Sequence, residues 1–381
     1  MPGFFSIIVD KSVLQSLSPR EAEWLFHHYR VNVPPVLFAE VLGDLRKTKN
    51  LTTTSGVRDA QALAKKVDGS GVDLHMDTQR LVTQELLGYE ITMDGRPCVE
   101  NAEMIRMPDG SLGMHIDQTP LQRVLGKWQA GDFNGMELAF SQQWRNHLDG
   151  IDLEGALRSA KGWRNKSIDT PAKVAQTVDA FLFRENSNHA NLTNWLQVLK
   201  VPEHSQRKVI DLWRRAGRPP VIRLFPLTAS LARLRLFFYL AVVHGVVTTR
   251  SSNEIDFQYL EYLPFTRVFS SSDKLHSDMF PIFAKSYNHF VPGSDLKQAL
   301  REMADFYEAM PPEEKSEGSY SYADYPPVHM DNAITKSFDR YYPRWRDGAN
   351  RPKPPRDKSK DAEILAKIRE FQKAVDAQRR R

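Results

Sequence analysis

The stretch FFSIIVDKSVLQSLSPREAEWLFHHYRVNVPPVLFAEVLGDL, residues 4–45, decides the fold of this chain. It opens with a continuous run of apolar and β-branched side chains, Phe4–Val9, which ends at Asp10. Such a run is typical of a strand that is buried on both faces, as in a parallel sheet. Ser18 and Glu21 then form the pattern of a capping box, with a proline between them, and predict the start of a helix.

The second half of the stretch repeats this order. The first helix is predicted to end at about Tyr29, and a short strand follows over Val31–Val33. Two prolines prevent that strand from continuing, and a second helix is predicted from about Val36 to Arg46. Strands and helices therefore alternate, which is the pattern of an α/β fold.

Further along the chain this alternation is lost and then returns. Residues 48–217 have a mostly helical pattern, with short strands and turns over 88–120. An apolar helix, Thr228–Val243, a strand, Thr266–Phe269, and a helix, Leu296–Met310, then restore the α/β pattern. We therefore predict a discontinuous α/β domain over 1–47 and 218–310, an inserted, mostly helical domain over 48–217, and a surface-wrapping segment with a basic C-terminal tail over 311–381.

Composition limits the possible classes of protein. The chain has 381 residues, of which 41% are hydrophobic and 26% charged, and this excludes a wholly disordered or fibrous chain. A single cysteine, Cys98, excludes a disulfide framework and a thiolate metal site. The N-terminus lacks a secretory pattern, and the longest apolar stretch, 234–247, is too short to cross a bilayer. These features predict a soluble, cytoplasmic protein with no membrane partner.

The positive charge is concentrated in the tail. Residues 351–381 contain 11 basic and 5 acidic residues, a net charge of +6, whereas residues 1–350 carry a net charge of −1. A basic tail suits the phosphate backbone of a nucleic acid, and it is equally typical of a solvated extension.

Four acids stand at places where an α/β sheet binds ligands. Asp10 directly follows the first strand, Glu40 lies on the helix after the second, Asp256 is near the start of a helix predicted over 253–262, and Asp273 follows the last strand. The carboxyl ends of parallel strands share one crevice, so these side chains are expected to converge. Four carboxylates repel one another when no cation lies among them, and oxygen ligands suit Mg²⁺ or Mn²⁺.

Three segments carry a family resemblance. They are IIVDKSVL (7–14), VNVPPVLFAEVL (31–42) and NEIDFQYLEYLPFTRVFSSSDKLH (253–276). Together they resemble the signature segments of PIN and PIN-like nuclease domains, although the central insertion is far longer than in a minimal PIN domain. The resemblance implies a three-layer α/β/α fold with a parallel sheet and hydrolysis of RNA, less often of DNA. It also implies that Asp10, Glu40, Asp256 and Asp273 are the catalytic residues and hold Mg²⁺ or Mn²⁺.

Each acid also has a structural interpretation. Asp10 is a candidate helix cap, and Glu254 and Glu261 are alternatives to Asp256. Four neighbours of the acids are candidates for supporting or phosphate-contacting roles, or for ordinary capping and surface roles. They are Lys11, Asn253, Ser271 and His276.

Two runs combine aromatic with basic side chains, as proteins that bind single-stranded nucleic acids do. They begin at Trp213 and at Tyr341 (WRRAGR and YYPRWR). Amphipathic packing at the surface explains each run equally well.

These observations favour a metal-dependent endoribonuclease with a nucleic-acid partner, RNA rather than DNA. The insertion then selects the substrate or a protein partner, and the PIN resemblance adds a homo-oligomer as an option. One alternative is a non-catalytic PIN-like scaffold or nucleic-acid-binding module that acts through the insertion and the tail. Another is a phosphatase-like hydrolase of small phosphoesters.

Overall fold

The structure is a computed structural model. It describes residues 5–46, 53–67, 72–100, 102–107, 109–116, 120–150, 153–155, 165, 167–183, 189–199, 201–315, 320–350 and 358–379.

A five-stranded parallel sheet forms the centre of the fold. Its strands lie in the order β3-β2-β1-β6-β7, and a separate antiparallel hairpin is formed by β4 and β5. The strands are β1 (Ser6–Val9), β2 (Arg30–Val33), β3 (Val72–Leu74), β4 (Ala102–Arg106), β5 (Leu112–Ile116), β6 (Val268–Ser271) and β7 (His289–Pro292). All four residues of β1 are buried, as the apolar run predicts for a central strand.

Helices surround the sheet, and the architecture is α/β and compatible with an α/β/α layout. The helices are α1 (Lys11–Ser16), α2 (Pro19–His28), α3 (Pro35–Gly43), α4 (Thr53–Lys65), α5 (Thr78–Leu86), α6 (Pro120–Gln129), α7 (Gly135–Gly150), α8 (Pro171–Leu182), α9 (His189–Val198), α10 (Glu203–Arg215), α11 (Val221–Leu224), α12 (Pro226–His244), α13 (Ser252–Leu260), α14 (Lys274–Phe283), α15 (Gly293–Ala309), α16 (Ala333–Tyr341), α17 (Trp345–Ala349) and α18 (Lys358–Arg379). Short 3₁₀ helices span Asp44–Arg46, Leu263–Phe265, Pro312–Glu314 and Tyr320–Ala323.

The capping box predicted at the start of α2 is confirmed. The Ser18 hydroxyl accepts the Glu21 N–H, and the Glu21 carboxylate accepts the Ser18 N–H. This reciprocal pair satisfies two backbone donors that the first turn of a helix leaves without partners.

The sheet extends beyond the bounds predicted for the α/β domain. β3 pairs with β2, so the segment expected to be an insertion contributes an edge strand. Three residues are too few for a visible apolar run, which is why the pattern did not reveal it. The segment also packs closely on the rest, because α8 contacts α12.

The helix of the basic C-terminal tail packs on the folded protein. α18 packs against β4 of the hairpin, where Val375 is fully buried and the Phe371 ring lies against Gly113. This helix contains six basic and four acidic residues, a net charge of +2, so most of the +6 charge belongs to residues 351–357 and 380–381 that flank it.

One helix among the described residues is long and apolar enough, by length and composition, to cross a membrane. It is α12, which begins eight residues before the apolar stretch 234–247 and so exceeds the length expected from the sequence. Just over half, 56%, of its most apolar 18-residue window is buried within the protein, and the helix packs against α5, α8 and α13 among others.

Candidate active site

Two of the predicted acids lie at the carboxyl edge of the sheet, on neighbouring strands. Asp10 follows β1, and Asp273 lies two residues beyond the end of β6. Each carboxylate also caps the helix that begins after it, because Asp10 accepts the Val13 N–H at 2.8 Å and Asp273 accepts the Leu275 N–H at 2.7 Å. For Asp10 the capping interpretation and the sheet-edge interpretation therefore both hold, and Asp273 caps its helix in the same way.

Asp10 is the most strongly bonded of the four acids. It is only 4% exposed, and its Oδ1 accepts the Ser12 hydroxyl at 2.8 Å in addition to the Val13 N–H. Its Oδ2 accepts the Ser271 hydroxyl at 2.5 Å and lies 3.5 Å from His276 Nδ1. Burial alone would raise the pKa of Asp10, but the hydrogen bonds from His276, Ser271 and Val13 lower it below its ordinary value. The carboxylate is therefore ionised and held in one orientation.

His276 joins the strand end to α13. Its Nε2 donates to the carbonyl oxygen of Asp256 at 2.8 Å, and its Nδ1 lies 2.7 Å from Ser271 Oγ. Since the single hydroxyl hydrogen of Ser271 points to Asp10, Nδ1 must donate to Ser271 Oγ, which makes both ring nitrogens N–H donors. Burial lowers the pKa of His276, but the carboxylate of Asp10 raises it above its ordinary value, in agreement with a charged ring. This imidazolium is a cation within the acidic cluster.

Glu40 is held by a tyrosine that the sequence analysis did not single out. The Tyr259 hydroxyl donates to Glu40 Oε2 at 2.5 Å. Burial, together with the charge of Glu40, raises the pKa of Tyr259 well above its usual value, so the phenol keeps its proton and remains a donor. Burial also raises the pKa of Glu40, against the effects of Tyr259 and Lys11. Tyr259 lies one helical turn after Asp256, and that spacing was the available signal.

Asp256 experiences the charge of the other three acids. Burial is the largest cause that raises its pKa to about 7, and the charges of Asp273, Glu40 and Asp10 raise it further, against His276. The four carboxylates are therefore near neighbours, although more than two hundred residues separate Glu40 from Asp256 in the sequence.

Two of the supporting candidates have other roles than contact with the acids. Lys11 Nζ forms an ion pair with the buried Asp44 at 2.6 Å and donates to the carbonyl of Glu40 at 3.2 Å. Asn253 was a candidate for a supporting or a capping role. Its amide donates to Thr248 instead, and Ser251 is the N-cap residue of α13. The position of Asn253 inside the first turn of α13 turns it toward the preceding loop.

Glu261 and Glu254, the alternatives to Asp256 as a site residue, differ in their contacts and burial. Glu261 is buried, where it accepts hydrogen bonds from Arg235 and Thr78. Glu254 lies on α13 two residues before Asp256 and is half-buried. Glu261 is therefore engaged in holding helices together.

The oxygen atoms of the four acids are of the type that binds a hard divalent cation. Carboxylate oxygens that raise one another's pKa suit Mg²⁺ or Mn²⁺, which prefer hard oxygen ligands. Within the described ranges, however, no three His, Cys, Asp or Glu side chains are close enough together to hold one ion. The chemistry of the donors fits, and ligation requires the carboxylates to approach one another.

No protein-family model, curated protein or solved structure matches this chain. The likeness to PIN domains therefore depends on the three segments quoted above.

Proposed function

We propose that this protein is a metal-dependent, PIN-like nuclease that cleaves phosphodiester bonds, in RNA rather than DNA. The observation that carries the proposal is that Asp10 and Asp273 follow neighbouring parallel strands at the carboxyl edge of the sheet and that, with Glu40, their charges raise the pKa of Asp256. In open α/β sheets this edge is where ligands bind.

The residues around the acids have distinct tasks in this proposal. Ser271 and His276 orient Asp10, and the Tyr259 hydroxyl orients Glu40. A bound divalent cation would neutralise charge on the phosphodiester and lower the pKa of the attacking water. Glu40, Asp256 and Asp273 would hold it together with Asp10, because a carboxylate has about four lone-pair sites and Asp10 uses three of them in hydrogen bonds.

Attraction of the substrate is assigned to the basic tail. The net charge of +6 over residues 351–381 exceeds that of the whole remaining chain, which is slightly acidic. Contacts between such a tail and phosphates weaken as the salt concentration rises, so substrate affinity should fall steeply with ionic strength.

Cleavage of single-stranded RNA and DNA with Mn²⁺, or with EDTA, tests the proposal. We expect RNA cleavage that needs Mn²⁺ and that falls at least about 100-fold in Asp256→Asn and in Glu40→Gln. Glu254→Gln, a change of the same type two residues away, is the control and should keep its rate. Cleavage that persists in EDTA, or in the double variant Asp10→Asn, Asp273→Asn, would refute the proposal.

One observation favours a second function, that of a non-catalytic nucleic-acid-binding module. Asp10 uses three of its lone-pair sites in internal hydrogen bonds, and no three potential ligands among the described residues converge on one point. Titration with Mn²⁺ separates the two functions, because a nuclease site gains thermal stability by mass action. A module without the site shows no shift in melting temperature and no turnover.

A further inference from the structure

A cavity of about 680 Å³ lies at the amino edge of the sheet, opposite the four carboxylates. Its wall includes the first residues of two neighbouring strands, Ser6 of β1 and Arg30 of β2, and Arg267 directly before β6. The turn around Gly95 forms another part of the wall. A volume of this size is within the usual range for pockets that bind small molecules.

The charges that line the cavity are unequal. Three arginines face two aspartates, and two of the arginines are paired: Arg30 binds Asp73 through two nitrogens, and Arg96 binds Asp94. Arg267 forms no hydrogen bond or ion pair through its guanidinium with any residue that the structure describes. The cavity therefore has one positive charge that is not neutralised by a paired acid.

Arg267 is nonetheless held in place. Its guanidinium lies 5.6 Å from the ring centroids of both Tyr287 and Tyr341. Gly95 allows the side chain to cross the turn, since a Cβ there would lie 2.8 Å from Arg267 Cδ and Nε, and the φ of Gly95 is +82°. Because this guanidinium is already fixed, it can bind an anion with little further loss of side-chain entropy.

An aromatic wall adjoins this charge. Tyr341 and Tyr342, the first residues of the YYPRWR run, line the cavity together with Phe5. The Tyr341 hydroxyl lies 2.8 Å from the carbonyl oxygens of Arg267 and Tyr287, which fixes that ring. Tyr342 is half-buried, and tyrosine rings are surfaces on which nucleobases stack.

We propose that this cavity is a binding site for a nucleoside phosphate, with the phosphate at Arg267 and Arg96 and the base against Tyr342. Guanidinium groups match phosphate oxygens in pairs, and a planar base matches the aromatic wall. The net positive lining disfavours a metal cation. Burial raises the pKa of the Cys98 thiol in this wall to about 11, so this thiol is not a reactive nucleophile at neutral pH. The site is separate from the acidic cluster and does not depend on the proposed nuclease activity.

Calorimetric titration of the full chain with adenosine 5′-monophosphate in EDTA tests the site. We expect binding that weakens about 10- to 100-fold in Arg267→Gln and about 10-fold in Tyr342→Leu. Arg96→Gln is a second variant with little risk to folding, because that side chain is 75% exposed. Arg214→Gln is the matched control, an exposed arginine that also pairs with an aspartate close by in the sequence, and it should bind as the unaltered chain does.

The same titration identifies the source of the ligand. Adenosine and inorganic phosphate should each bind more weakly than the nucleotide, because each lacks half of the contacts. Binding of the mononucleotide indicates a free nucleotide, whereas binding of a 5′-phosphorylated oligonucleotide alone indicates the end of a strand. The proposal fails if neither binds, if Arg267→Gln and Arg96→Gln leave the affinity unchanged, or if Asp256→Asn at the opposite edge abolishes binding.

Discussion

At the carboxyl edge of the sheet, four carboxylates lie near one another with the His276 imidazolium among them. At the amino edge, each of the two aspartates that line the cavity binds an arginine, and Arg267 is left as the surplus charge. Helix direction is one reason for the difference. Asp10 and Asp273 sit at helix N-termini, where the macrodipole favours negative charge. The two edges therefore have charge surpluses of opposite sign.

Removing the most strongly bonded acid should have the largest effect. Asp10→Ala leaves the Val13 N–H without its acceptor and the buried His276 imidazolium without its counter-ion, so the free energy of unfolding should fall by about 3–5 kcal/mol. Urea unfolding measures it. Asp278→Ala, which removes an exposed acid on α14, is the control and should change stability by less than about 0.5 kcal/mol. A loss below about 1 kcal/mol in Asp10→Ala would contradict the assigned network.

His75, a second histidine at the carboxyl edge, lacks the carboxylate neighbour that keeps His276 charged, so the two can be compared. His75 follows β3 without a carboxylate partner: Nδ1 donates to the Met76 carbonyl, Nε2 accepts the Cys98 N–H, and burial lowers its pKa to about 4. The unfolded chain therefore binds a proton between pH 6.5 and pH 4 that the folded chain does not, and this costs about 3 kcal/mol of stability as the pH falls. The loss is complete below pH 4.

The measurement compares the pH dependence of unfolding in different chains. The slope of the free energy of unfolding against pH reports how many more protons the unfolded chain binds. Between pH 6.5 and pH 4, His75→Gln should lower that number by nearly one. The unaltered chain, measured over the same pH range, gives the reference slope. Equal slopes in the unaltered chain and His75→Gln would show that His75 is already charged in the folded state.

At the amino edge, the loss of stability on replacing an acid should be larger for the more buried acid. Asp73 is 7% exposed, and Asp73→Asn breaks its two-nitrogen contact with Arg30, so the free energy of unfolding should fall by about 2 kcal/mol. Asp94→Asn breaks an exposed pair with Arg96 and should cost less than about 1 kcal/mol. Equal losses in the two variants would mean that burial does not decide the strength of these pairs.

One expected effect has the opposite sign. Burial and the neighbouring acids raise the pKa of Asp256 to about 7, so at pH 8 its ionised form destabilises the folded state, and Asp256→Asn should raise the free energy of unfolding by up to about 4 kcal/mol. The gain should disappear between pH 7 and pH 4, as the carboxyl takes up its proton. Urea unfolding in EDTA at both pH values measures it, and destabilisation at pH 8 would contradict the repulsion among the acids.

Local patterns predicted the elements whose signals lie within a few residues. The apolar run of β1, the capping box of α2 and the proline pair before α3 each act on their own neighbours. The structure therefore has them within a few residues of the predicted bounds. By contrast, the residues of β7 are mostly only half-buried and show no continuous apolar run, and α14 contains Pro281, so neither had a clear pattern.

The sequence alone therefore determined the α/β class and the placing of Asp10 and Asp273 at strand ends, because strand direction and apolar periodicity are local properties of the chain. Only the tertiary structure decided what those acids contact. The pairing of β1 with β6 brings Ser271 and His276 to Asp10 across more than 250 residues, and the packing of α3 on α13 brings Tyr259 to Glu40. Likewise, the cavity at the amino edge joins residues from both ends of the chain. Contacts between residues so far apart depend on which helices and strands pack against each other. The local pattern of apolar and polar residues does not specify those partners.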